Sequence, residues 1–158
     1  MTDPSTWFDA ETELPGRAFW EAVLGAESAR SRRFHRPATV VLVELVGFDD
    51  IVSGWGRSVA VRDLVAVGRI LRADCRASDY VVRLAEARFA ILLTETDQIA
   101  AINVVERLRA RCERETGSRS VATRLAFGWA SPAGEQTVAG AVDQAEQRLR
   151  HEAESAAR

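Results

Sequence analysis

The sequence predicts an α+β sandwich: a ferredoxin-like β-α-β-β-α-β core with one extra helix before it and one after it. Three observations carry the prediction. "ATVVLVELVGF" (38–48) is a continuous β-branched run, as expected of a strand buried on both faces. "DYVVRL" and "RFAILLT" are short apolar strands separated by only a few residues, the signature of a hairpin. Between and around them, apolar residues recur with a helical period.

Taken in order, a first helix is predicted from Arg17 to Phe34, with Phe19, Trp20, Val23 and Leu24 on one face and the basic end "RSRRFHR". Positive charge suits a helix C-terminus, and this cluster is read as a solvated helix end. Pro37 stops the helix, and the central strand follows. After the glycines of "SGWGRS", a long helix repeats apolar residues at Val61, Leu64, Val65, Gly68 and Leu71. The hairpin comes next. A further helix over "DQIAAINVVERLRARCERE" places Ile99, Ile102, Val105 and Leu108 inward, "SVATRLAFGWAS" is the last strand, and "TVAGAVDQAEQRLRHEAESAAR" the last helix. The ferredoxin-like plan packs helices on one face of the sheet, and the extra helices are expected to thicken that layer.

The 158 residues, 47% hydrophobic and 28% charged, suffice for one domain spanning 1–158, with 1–16 as a leading segment. A net charge of -2 gives no electrostatic case for nucleic acid or an anionic membrane as partner. The two central strands also lack the aromatic ladder of an RNA-binding sheet. Every basic residue except the two histidines is Arg, which excludes lysine Schiff-base chemistry. Cys75 and Cys112 match neither a disulfide framework nor a zinc half-site and are expected to be buried, reduced thiols. The leading segment has no apolar h-region and no run approaches membrane-spanning length, so a cytoplasmic protein is expected.

Five segments, in order, resemble the GGDEF domains of diguanylate cyclases. "DAETELPGRAFW" is similar to their D-x-L-T-G-L-P-N-R-x-x-F motif at Asp9, Thr12, Leu14, Pro15 and Arg17. "VVLVELVGFDDIVSGWG" resembles their first strand and following loop, keeping Gly47, Phe48, Ile51 and Gly56. "RLAEARFAILL" falls where the family writes R-x-G-G-D-E-F-x-x-x-L, "LAFGWAS" resembles S-I-G-V-A, and "AVDQAEQRLR" resembles A-D-x-A-L-Y-x-A-K. The resemblance implies a domain that binds GTP and, facing a second copy, condenses two GTP into cyclic di-GMP with two carboxylate-held metal ions.

The same resemblance implies that this chemistry is lost. The strand aspartate that ligates metal corresponds to Glu44, the signature's metal acid to Ala87, and the acid after it to Arg88. A cation there would repel Mg2+. The guanine-reading Asn and Asp correspond to Val52 and Val61, and the phosphate-contacting Lys to Asp49. The two signature glycines become Ala85 and Glu86, neither of which adopts positive φ readily. A last-helix Lys is represented by Arg150, and a further Arg by Glu154. A remade turn that aimed Glu86 beside Glu44 would rebuild a metal site, but neighbouring strand residues face opposite ways and nothing replaces the guanine readers. Glu44 is expected to be an acid at a strand end, paired with an Arg; no cofactor and no Mg2+ are expected.

The family's inhibitory nucleotide site is R-x-x-D ending five residues before the signature. Arg76-Ala77-Ser78-Asp79 stands at that spacing, and the additional family Arg corresponds to Arg107. Arg can fork onto the O6 and N7 edge of guanine, and a carboxylate accepts from N1 and N2. The plain alternative is an Arg/Asp ion pair at a helix end, worth little energetically. Three functions remain in view: a catalytically inactive cyclic di-GMP receptor that signals to an unidentified protein partner; a nucleotide-independent interaction module docking through the helix face at Trp20 or a loop at Trp55; and, least favoured, a residual cyclase. A homodimer is a candidate assembly. No sensor domain precedes the fold in this sequence, so input is expected from a ligand or partner.

Overall fold

In the computed structural model, which describes residues 7–116 and 124–158, the elements run α1 (Arg17–Phe34), β1 (Ala38–Val46), α2 (Phe48–Trp55), α3 (Arg57–Asp74), β2 (Tyr80–Ala85), β3 (Arg88–Thr94), α4 (Gln98–Thr116), β4 (Arg124–Ala130) and α5 (Val138–Ala156). Residues 1–6 of the leading segment and 120–123 of the predicted last strand lie outside the described residues. The four strands pair antiparallel in the order β2-β3-β1-β4. This is the predicted α+β plan.

β1 is central because it is apolar on both sides: every side chain from Ala38 to Val43 is buried. Alternation along the strand sends these side chains into two separate cores. Val41, Val43 and Leu45 meet Leu64, Leu71, Val105 and Leu108 of α3 and α4. Val40 and Leu42 meet Trp20, Leu24, Ala145 and Leu149 of α1 and α5. The extra helices therefore cover the opposite face of the sheet and do not thicken the first layer. A sheet strand rich in Val and Leu on both faces needs a helix layer on each side, which a single layer could not supply.

Three other expectations change. The segment after β1, read as a loop, holds the helix α2, whose Phe48 and Ile51 are buried; Gly56, at φ 92, ends α2 and begins α3, a conformation that favours glycine. On α4 the inward face is Ala101, Val105, Leu108 and Cys112, while Ile99 is 77% exposed and Ile102 is also outside. Trp20 is buried, so no docking face exists there, and Trp55, which ends α2, is 59% exposed.

Both sheet edges are covered. On β2, the Arg83 N–H donates to the Pro15 carbonyl at 2.9 Å, so the leading segment lies along that edge. On β4, the Glu152 carboxylate of α5 accepts the Phe127 N–H, and Arg148 donates to the Trp129 carbonyl at 2.6 Å. Such cover prevents strand addition to an open edge. Among the described residues, no helix is long and apolar enough to cross a membrane.

Candidate functional site

The β2–β3 hairpin turns on Glu86 and Ala87, with Ala85 closing β2 and Arg88 opening β3. The turn contains no positive-φ residue, which is how it accommodates two side chains where glycines would permit other geometry; a register irregularity between Arg83 and Ala85 takes up the difference. Across the sheet, Arg88 stands directly opposite Glu44. Its guanidinium donates to Glu44 at 3.0 Å and to Glu146 of α5 at 2.7 Å. All three side chains are about a quarter to a third exposed. Burial disfavours the charged guanidinium, but its bonds to Glu44 and Glu146 outweigh that and raise its pKa further above the ordinary arginine value.

Ala87 contributes its carbonyl, which accepts from the Leu45 N–H at 2.9 Å, while its side chain packs against the core beneath α3. Glu86 turns to Arg57 at the start of α3, at 2.5 Å. Glu44 and Glu86 are thus held by different cations. Val52 and Val61 are half-buried apolar residues on α2 and α3. This donor set does not fit a divalent metal ion: the strand carboxylate and its helix neighbour already share a permanent cation, and the signature position offers only a methyl group. No group of three or more His, Cys, Asp or Glu side chains is positioned for a metal among the described residues. Glu146 is the member that the sequence reading missed. The available signal was its place in "AVDQAEQRLR", where the family pattern has an apolar Leu and this chain an acid.

The hairpin is also tied to the leading segment. Arg83 is nearly buried and donates to Asp9 at 3.0 Å, to Glu11 at 2.8 Å and to the Glu86 carbonyl at 2.7 Å. Burial would raise the Asp9 pKa, but hydrogen bonds from Thr12 and Arg83 hold it below its ordinary value; the Arg83 bond likewise lowers Glu11. The ion network lines a cleft of about 420 Å³ beside Phe8 and Arg57.

The R-x-x-D segment forms the turn between α3 and β2. Asp79 is only 3% exposed and works inward: its carboxylate accepts from the Arg76 N–H at 2.9 Å and the Thr94 N–H at 3.0 Å. The Arg76 side chain is 57% exposed, and its guanidinium donates to the Thr94 carbonyl and the Thr96 hydroxyl while lying 3.5 Å from Asp79. Arg107 of α4 is exposed and donates to the Asp74 carbonyl at 3.1 Å. Both guanidinium groups are therefore anchored on residues 74–79 or beside them. Cys75, within this turn, is half-buried and Cys112 fully buried; both are free, and burial pushes their thiol pKa values up to about 11 and about 12.

A family model described as diguanylate cyclase, GGDEF domain, matches residues 6–157. The chain is 30% identical over 106 residues to the diguanylate cyclase DosC of Escherichia coli K12, an alignment covering 67% of this chain and 23% of that protein. It is 32% identical over 126 residues to the diguanylate cyclase TpbB of Pseudomonas aeruginosa, covering 76% and 28%. The chain thus spans about a quarter of the length of these curated relatives. Among solved structures, the GGDEF domain of DgcB from Caulobacter crescentus in complex with c-di-GMP superimposes with a TM-score of 0.87 at 14% identity, covering 98% of this chain and 94% of that one. The diguanylate cyclase SiaD from Pseudomonas aeruginosa, bound to its activator SiaC, gives 0.85 at 24% identity, covering 94% and 58%.

Proposed function

The chain belongs to the GGDEF domain family, and from that premise we propose that it is a member without cyclase activity that serves as a receptor for cyclic di-GMP. The observation that carries the loss of catalysis is the Arg88 guanidinium bonded to both Glu44 and Glu146 at the signature position. A guanidinium cannot be deprotonated at neutral pH, so it holds a fixed positive charge where a metal-dependent condensation needs liganding acids. With Ala87 beside it and Val52 and Val61 in place of guanine-reading polar groups, neither metal nor GTP has its recognition set, and Mg2+ is not a cofactor.

The receptor role is supported by Arg76 and Arg107, whose guanidinium groups stand at the protein surface around one turn. Each can donate in a fork to a guanine edge. Asp79 fixes the turn by accepting the Arg76 and Thr94 N–H groups; its buried carboxylate would have to give up those bonds to reach a guanine, so recognition falls to the two arginines. The DgcB domain in complex with c-di-GMP shares this fold. The bound state would pass to a protein partner, as the fold is compatible with the SiaD–SiaC kind of association. A nucleotide-independent docking role draws on one observation, the exposed Trp55 at the end of α2.

Titration calorimetry with cyclic di-GMP is the test. Saturable heat from the natural chain, weakened about tenfold or more by Arg76→Ala and by Arg107→Ala, is the expected result. No heat with the natural chain would remove the receptor role in favour of docking. Cyclic di-GMP formed from GTP and Mg2+ in a sensitive turnover assay would overturn the loss of catalysis.

A further inference from the structure

At the opposite end of β1 from Glu44, the chain forms a larger cleft, about 760 Å³, that neither the signature nor the R-x-x-D turn uses. Its walls come from separate parts of the sequence: the end of α1, the start of β1, the 131–137 loop and the first residue of α5. A volume of this size lies within the range of small-molecule sites. The basic end of α1, which the sequence analysis set aside as a solvated helix terminus, forms one wall.

The cationic groups there are not all spent on the protein. The Arg32 and His35 side chains make no hydrogen bond or ion pair among the described residues, and His35, the α1 C-cap at φ 52, lines the cleft. Arg36 uses one nitrogen on Glu95 and keeps others. Ser28 accepts the Ala139 N–H at 3.2 Å, which leaves its own O–H to donate. The α5 N–H groups of Ala139 and Gly140 are satisfied by Ser28 and Thr137, so the recognition falls to side chains. Two acids also line the cleft: Asp97, which caps α4 by accepting the Ala100 N–H, and the exposed Glu135 of the 131–137 loop, so the bound anion must sit on the α1 side, away from Glu135. Pro37, Pro132 and Val138 supply an apolar wall.

Guanidinium, imidazole and hydroxyl donors facing an apolar wall suit an anion with several acceptor oxygens and an organic body. We propose that this cleft is a binding site for a small phosphate ester, with Arg32, His35 and Arg36 on the phosphate, Ser28 donating to it, and the prolines against the ester group.

The test is an amide NMR titration of the full chain with inorganic pyrophosphate and with adenosine monophosphate. Shifts confined to residues 28–38 and 131–140, with adenosine monophosphate binding more tightly than pyrophosphate, are expected. Arg32→Ala with His35→Gly, both exposed positions and the second keeping the left-handed backbone, should weaken both probes about tenfold or more while leaving the melting temperature unchanged. Arg76→Ala should leave these shifts intact, which separates this cleft from the cyclic di-GMP turn. Shifts spread equally over the arginines of α3, or unaltered in the double variant, would overturn the proposal.

Discussion

Arg88 is the residue on which the reading of this domain turns. Its charge is neutralised by two carboxylates from different elements, and each carboxylate is in turn neutralised only through it or an exposed neighbour such as Arg150, 3.8 Å from Glu146. Removing the cation leaves Glu44 and Glu146 facing one another without compensation. Arg88→Ala is therefore expected to cost about 1–3 kcal/mol, seen as a melting temperature lower by several degrees, and not to create cyclase activity, because Ala87, Val52 and Val61 remain. An unchanged melting temperature would mean the triad contributes nothing. The cysteines make a second prediction at this scale. With thiol pKa values near 11 and 12 and little access, Cys75 and Cys112 should react with a thiol reagent at pH 8 about a hundredfold or more slowly than a free cysteine, and at ordinary rates once the chain is unfolded. Fast labelling of the folded chain would show that the α3–β2 turn opens readily.

At the scale of elements, β4 packs backbone against backbone on α5 at Gly128. A Cβ built on Gly128 would lie 2.2 Å from the Ala145 carbonyl and 2.4 Å from the Leu149 amide nitrogen, both backbone atoms that cannot rotate aside. Gly128→Ala should push α5 off the sheet and with it the Glu152 and Arg148 contacts that cover the β4 edge, destabilising the domain by about 3 kcal/mol or more. Thermal melts with light scattering would register both the loss and any edge association. Most element positions were legible in the sequence. The α1 and β1 bounds follow from Pro37 and from the run of β-branched residues. Periodicity failed on α4, where Ile99 and Ile102 satisfy a helical spacing as well as Ala101 and Cys112 do; small Ala101 marks the face that lies close to the sheet, a distinction that hydrophobicity alone does not register. The helix α2 was missed because its eight residues sit between glycines that read as a loop.

For the whole molecule, what the sequence could not supply was the pairing of distant parts: that α1 and α5 share a face, that Glu146 reaches Arg88, and that residues 7–16 run along β2. These depend on tertiary placement, which periodicity does not encode. The leading segment shows what such long-range ties do for stability. It is fastened by Trp7 edge-on to Phe19, by the Pro15 bond to β2, and by Asp9 and Glu11 on the nearly buried Arg83. Both carboxylates titrate lower in the folded chain than their ordinary values of 3.8 and 4.5. As pH falls, protons bind the unfolded chain first, so the stabilisation is fully present above about pH 5 and is lost as pH drops through 4.5 and 3.8 to the depressed folded values. Asp9→Asn keeps the shape and removes one of the two titrating groups. Plotted against pH, its melting temperature should lie below that of the natural chain at pH 7, and the two curves should converge as the pH falls below 3.8 through the depressed folded value. Parallel curves would mean that the Asp9 charge adds nothing to the hold on Arg83, and that the leading segment is fastened by Glu11, the Pro15 bond and its apolar contacts.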